Sequence, residues 1–93
     1  MKIVVKNSDD VVHHLGDDTY HFLTEKGIFD KFKIKNNPTP NLLVRVAGDK
    51  LQSLIEAIRG SISDDIDNIL LRENLEVLID FLKISEKISI SKN

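Results

Sequence analysis

Residues 63–83 form the most apolar segment of the chain and constrain its fold more than any other feature. At about 100° per residue, the apolar side chains of a helix here would cover an arc of about 220°, roughly twice that of an ordinary surface helix. The side chains form two rows. The first row is Ile66, Leu70, Val77 and Phe81, and the second is Leu71, Leu75, Leu78 and Leu82. A helix this apolar must be buried on two sides, so we expect it to be central in its domain.

Local signals mark the start of this helix. Ser61 followed by Asp64 resembles a capping box, and further aspartates place negative charge where the helix dipole favours it. The alternative is a break near Glu73 and Asn74, which would give two shorter helices.

Length and composition indicate one small domain. The chain has 93 residues and no cysteine, which excludes a disulfide framework and a thiolate zinc site. Residues 1–6 are too short for a signal peptide, and no apolar run approaches the ~18 residues of a membrane span. We therefore expect a single cytoplasmic domain covering residues 1–93. Abundant Ile, Lys and Asn suggest an AT-rich genome, such as that of a low-GC bacterium or its phage.

The net charge of −2 conceals a division along the chain. Residues 28–50 contain five basic and two acidic side chains, whereas residues 51–82 contain two basic and seven acidic ones. Segregation of this kind can steer association with a charged partner or with a second copy of the chain.

The N-terminal third predicts one strand and two helices. Residues 2–6 are a short apolar run suited to a strand. Ser8 is a good N-cap for a helix over residues 9–15, and a second helix over residues 18–26 would close at a glycine. The two helices could instead be one helix kinked at Gly16.

The middle of the chain predicts two strands. Residues 28–35 alternate between apolar side chains and lysines, which is typical of a half-buried strand. Two prolines make residues 36–41 an extended loop. Residues 42–46 follow as a second strand, which we expect to be antiparallel to the first.

The remaining segments complete an α+β fold. Asp49 and Gln52 resemble a capping box for a helix that ends near Gly60, and residues 84–91 alternate like an edge strand. The buried stripe of that helix would be Leu51, Leu54, Ile55 and Ile58. We predict a small antiparallel sheet, including a hairpin-like pair near residues 28–46, packed against three or four helices with the long C-terminal helix central.

All three histidines lie in one short segment that could bind a metal ion. If residues 9–26 were one helix, His14, Asp18 and His21 would share a face at a spacing that can converge on a metal. The alternative is that they form the solvated side of an amphipathic helix. No known zinc signature is present, so we predict no metal site here.

The sequence carries no signature of catalysis. There is no G-x-S-x-G elbow, no cysteine nucleophile and no glycine-rich phosphate loop. Each pair of adjacent aspartates is explained by helix capping. We expect neither an enzyme nor a cofactor.

Three lysines offer a face for nucleic acid. Lys31, Lys33 and Lys35 would share the outer face of the strand over residues 28–35, where they could contact a phosphate backbone. The alternative is that they protect an exposed strand from aggregation.

The second apolar row of the C-terminal helix carries the functional hypothesis. Leu71, Leu75, Leu78 and Leu82 have coiled-coil-like spacing and could form a partner or dimer surface, or they could pack inside the domain. The first row should be core in either case. We predict a non-enzymatic cytoplasmic binding or regulatory protein, such as a phage or bacterial accessory protein. It would contact another protein or a second copy of itself. A nucleic-acid-binding protein and a metal-dependent enzyme are the alternatives.

Overall fold

The computed structural model describes residues 2–32, 41–62 and 68–92. Within these residues, a four-stranded antiparallel sheet with strand order β2-β1-β4-β3 packs against three helices. The elements in chain order are β1 Ile3–Asn7, β2 Val12–Leu15, α1 Asp17–Glu25, β3 Leu42–Ala47, α2 Asp49–Ser61, α3 Ile69–Lys83 and β4 Lys87–Lys92. The predicted α+β class is confirmed.

β1 and β2 form a hairpin, so the predicted helix over residues 9–15 is wrong. The Asn7 side chain accepts hydrogen bonds from the backbone N–H groups of Asp9 and Val11, each at 3.0 Å. Asp10 takes a positive φ of 64°, which a short polar residue tolerates in a turn. The same residue types that cap helices also close turns, and here the turn is formed. The helix kinked at Gly16 is excluded with it.

α1 matches the predicted second helix closely. Its C-terminus is a Schellman motif in which Gly27, at φ 70°, donates its N–H to the Thr24 carbonyl, and Ile28 donates to the Leu23 carbonyl. The chain continues in turns through residues 28–32, and Phe29 is buried. The predicted strand over residues 28–35 is therefore wrong in its described part, and residues 33–35 lie outside the described residues.

β3 forms as predicted but pairs with a different strand. It lies antiparallel to β4, with Val44 opposite Ile90 and Val46 opposite Ile88. β4 also pairs with β1, so the segment predicted as an edge strand is central. Among residues 28–32 and 41–46, the described part of the segment, the predicted hairpin-like pair is not formed. Ile88 and Ile90 are buried, but so are Val44 and Val46 of β3 at the end of the described sheet, so burial of alternate side chains does not distinguish a central strand from an edge strand.

α2 buries the predicted stripe of Leu51, Leu54, Ile55 and Ile58. Its start differs from the capping-box prediction, because Gly48 is the N-cap and no side chain caps the helix. Gly48 has a φ of 57°, which lets the chain turn sharply from β3 into α2.

α3 is one continuous helix through Glu73 and Asn74, so the alternative of a break there is wrong. It begins at Ile69, later than predicted, because Asn68 is the N-cap and its Oδ1 accepts from the Leu71 N–H at 3.1 Å. Residues 63–67, with the predicted capping aspartate and Ile66, lie outside the described residues.

The first apolar row of α3 was predicted to be core, and in its described part this is wrong for Leu70 and Val77, whereas the second row follows the core alternative. The second row supplies the core, with Leu75, Leu78 and Leu82 buried among side chains of the sheet and the other helices. Two members of the first row, Leu70 and Val77, are exposed. α2 and α3 share the inner side of the sheet, so α3 is covered on one side instead of two.

Candidate functional site

The exposed side of α3 carries an ordered set of apolar side chains. Leu70, Val77 and Ile84 are 66%, 52% and 77% exposed and follow one another at intervals of seven residues. Ile84 is the C-cap and keeps helical backbone angles. At about 100° per residue, the three lie within roughly 40° of arc, so they form one line along the helix. We call these three residues the outer stripe.

Two further residues complete the spacing of the outer stripe. Asn74 and Phe81 lie between its members, which gives the alternating intervals of four and three residues that are typical of helix pairing. Asn74 is exposed and Phe81 is half-buried against the core. This side of α3 therefore resembles one half of a two-helix contact.

Acidic residues follow one edge of the outer stripe. Glu73, Glu76 and Asp80 are all exposed and lie on the side of α3 that faces away from Phe81. A hollow of ≈ 370 Å³ lies next to this edge, between α2 and α3. Its lining residues are Arg59, Ile62, Glu76, Ile79, Asp80 and Lys83. The apolar line is thus bordered by negative charge.

The other edge of the outer stripe meets strand β2. The His13 ring stacks on the Phe81 ring with 5.4 Å between centroids and 29° between planes. Burial of the imidazole lowers the pKa of His13 below 6.5, and the neighbouring His14 lowers it further. His13 therefore packs on Phe81 as a neutral ring near pH 7.

The residues predicted to bind a partner lie mostly in the core. Leu75, Leu78 and Leu82 are buried and Leu71 is half-buried. This burial agrees with the alternative in which the second row packs inside the domain. A docking role for this row stays a prediction, and it would require these side chains to leave the core.

The structure describes one residue of the predicted lysine face. Lys31 is exposed in the turns after α1, and Lys33 and Lys35 lie outside the described residues.

The three residues considered for a metal site lie on two elements. His14 is on β2, whereas Asp18 and His21 are on α1. The single helix that would have aligned them is absent, and His21 Nε2 lies 2.9 Å from Glu25 Oε1. Across residues 2–32, 41–62 and 68–92, no group of three or more His, Asp or Glu side chains is placed to hold a metal ion.

Sequence reasoning missed the outer stripe as a surface, although its signal was present. The seven-residue spacing of Leu70, Val77 and Ile84 is visible in the sequence, but spacing does not tell which side of an apolar helix faces the sheet.

Comparisons with protein-family models, with curated proteins and with solved structures found no match. In the described part of the chain, every helix is too short or too polar to cross a membrane.

Proposed function

We propose that this chain is a non-enzymatic cytoplasmic binding protein that acts through protein contacts, and that the outer stripe of α3 docks a helix of a different protein. The observation that carries the proposal is the exposed line of Leu70, Val77 and Ile84 at seven-residue intervals. Apolar side chains in one contiguous line are a common mark of an interaction surface.

The apolar line supplies the attraction. Full burial of a Val, Leu or Ile side chain contributes about 1.5–3 kcal/mol, so three such residues can support a specific contact. The intervals of four and three residues match an amphipathic helix that presents its own apolar row. A helix is therefore the shape that fits this surface best.

The acidic edge argues for a basic partner. A second copy of α3 docked antiparallel would bring Glu73 and Asp80 of the two copies along the same side of the contact. Like charges placed in this way are unfavourable, whereas lysines or arginines on the partner helix would be attracted. We therefore favour a different protein with a basic flank over a homodimer.

The proposal is tested with two designed helical peptides that share one leucine row. One carries lysine and the other glutamate beside that row. We expect the lysine peptide to bind at about 10 μM or tighter by calorimetry, with a negative heat-capacity change, and the glutamate peptide to bind at least tenfold more weakly.

Two variants separate apolar docking from charge attraction. Leu70→Asp with Val77→Asp makes the protein more acidic, so purely electrostatic binding of the lysine peptide would strengthen. We expect at least a tenfold loss instead. Gln52→Asp with Ser53→Asp adds the same charge on the exposed side of α2 and should retain binding. Equal affinity of both double variants, or no binding by the unmodified protein, would contradict the proposal. Self-association that is lost in the Leu70 and Val77 variant would instead identify a second copy as the occupant.

A further inference from the structure

Three cations lie close together on the face of the sheet that points away from the helices. Lys6 on β1 and Arg45 on β3 both lie opposite Ser89 on β4, so the three residues form one row across three strands. Strands lie about 4.8 Å apart, which places the Lys6 and Arg45 backbones about 10 Å from each other. Lys87 lies two residues from Ser89 and points to the same face, because side chains alternate along a strand.

The cations surround a hollow of ≈ 400 Å³ on the surface. Its lining residues are Lys6, Asn7, Ser8, Asp10, Arg45, Lys87, Ile88 and Ser89. Asp10 is the carboxylate in this lining, and its Oδ1 lies 3.2 Å from Lys6 Nζ. Among the described residues, Arg45 and Lys87 have no ion-pair partner. The hollow therefore keeps net positive charge together with serine hydroxyl donors.

The two faces of the molecule carry opposite charge. The three helices contain eight acidic and four basic side chains, and they pack on the inner side of the sheet. Lys6, Arg45 and Lys87 point the other way. A net charge of −2 therefore coexists with a local positive field on the outer face of the sheet.

We propose that this outer face binds double-stranded nucleic acid through its phosphate backbone. Lysine, arginine and serine side chains are the groups that most often donate hydrogen bonds to phosphate oxygens. The outward positions of the described strands hold no Phe, Tyr or Trp on which an unpaired base could stack. Recognition on this face is therefore of the backbone, with little preference for base sequence. The site is distinct from the outer stripe, and it uses none of the lysines at positions 31, 33 and 35.

The test measures binding of a fluorescent DNA duplex of mixed sequence to the full chain by anisotropy over a range of salt concentrations. Replacing Lys6, Arg45 and Lys87 together by Gln should weaken binding at least tenfold at low salt. It should also reduce the slope of log K against log salt by about 2–3, since each neutralised phosphate contributes about 0.9. Asp10→Asn removes the carboxylate from the hollow and should strengthen binding several-fold.

A matched control replaces three exposed cations of the helical side, Lys26, Arg59 and Lys83, by Gln. This variant has the same net charge as the sheet variant, so retained binding would assign the effect to the sheet face. The inference is overturned if the control loses as much affinity as the sheet variant. It is also overturned if no duplex binds at low salt. Equal binding of polyglutamate would show a general polyanion surface, and competition by submillimolar inorganic phosphate would show a small-anion site. Either result would replace the nucleic-acid assignment.

Discussion

At the scale of single residues, hydrogen bonds of short polar side chains decide where the chain turns. The Asn7 side chain accepts hydrogen bonds from two backbone N–H groups and closes the hairpin between β1 and β2. The Asn68 side chain accepts one such hydrogen bond at the start of α3. Both residues are Asn, yet one turns the chain and the other caps a helix, because the segments that follow pack differently.

The hydroxyl of Thr19 is buried in α1 without a hydrogen-bond partner among the described residues, and the residue is only 1% exposed. A buried hydroxyl without a partner costs about 1–3 kcal/mol of desolvation. Thr19→Val keeps the shape and removes that cost, so we expect the free energy of unfolding to rise by about 1 kcal/mol. Urea denaturation of the variant and the unmodified protein measures this change in the free energy of unfolding. The same change at exposed Thr24 should have an effect below about 0.5 kcal/mol, and a destabilised Thr19 variant would show that the hydroxyl is satisfied.

Residue His13 makes stability depend on pH. Burial beside Phe81 lowers its pKa below the value of 6.5 that applies in the unfolded chain. The unfolded state therefore binds more protons as the pH falls. The contribution of the neutral His13 ring to the free energy of unfolding is complete above about pH 6.5. It is lost progressively as the pH falls from there through the lower pKa of the folded state.

His13→Phe keeps the ring contact with Phe81 and removes the titration. We expect the urea midpoint to fall less between about pH 7.5 and about pH 5.5 in this variant than in the unmodified protein. His21→Gln, which removes an exposed histidine of α1, serves as the control. Its urea midpoint should fall as much as that of the unmodified protein over the same pH range. The same pH dependence in His13→Phe and in the unmodified protein would assign the effect to other groups.

At the scale of elements, α3 has one side that packs in the core and one side that is exposed to solvent. The buried side, with Leu75, Leu78 and Leu82, joins the helix to the core, and the outer stripe remains at the surface. The amount of apolar surface on α3 was readable from the sequence. The orientation was not, because both rows have helical spacing and α2 competes for the same area of the sheet.

The two sides of α3 should respond differently to truncation. Leu75→Ala leaves a cavity in the core and should destabilise the fold by about 2–5 kcal/mol. Val77→Ala, two residues away on the outer stripe, should change stability by less than about 0.5 kcal/mol. Thermal unfolding of the two variants compares them. Similar losses at both positions would show that the outer stripe is packed inside the domain.

At the scale of the whole molecule, strand order brings together residues that are far apart in sequence. β4, at the C-terminal end, lies between β1 and β3, so Lys6, Arg45 and Lys87 meet on one face. Each cation is visible in the sequence as a polar residue within a predicted strand. Their proximity was not predictable, because the alternation of residues along a strand does not show which other strands pair with it.

The sequence by itself determined the α+β class, the positions of β1, β3, α1 and α2, and the C-terminal helix that ends at Lys83. These features follow from local periodicity and from glycines that close helices, which act over a few residues. Only the tertiary structure decided that residues 12–15 are a strand, that β4 is central, and which row of α3 is buried. These outcomes depend on which distant segments pack together in one hydrophobic core. The same packing determines which side chains stay exposed, and these include the outer stripe and the basic face of the sheet.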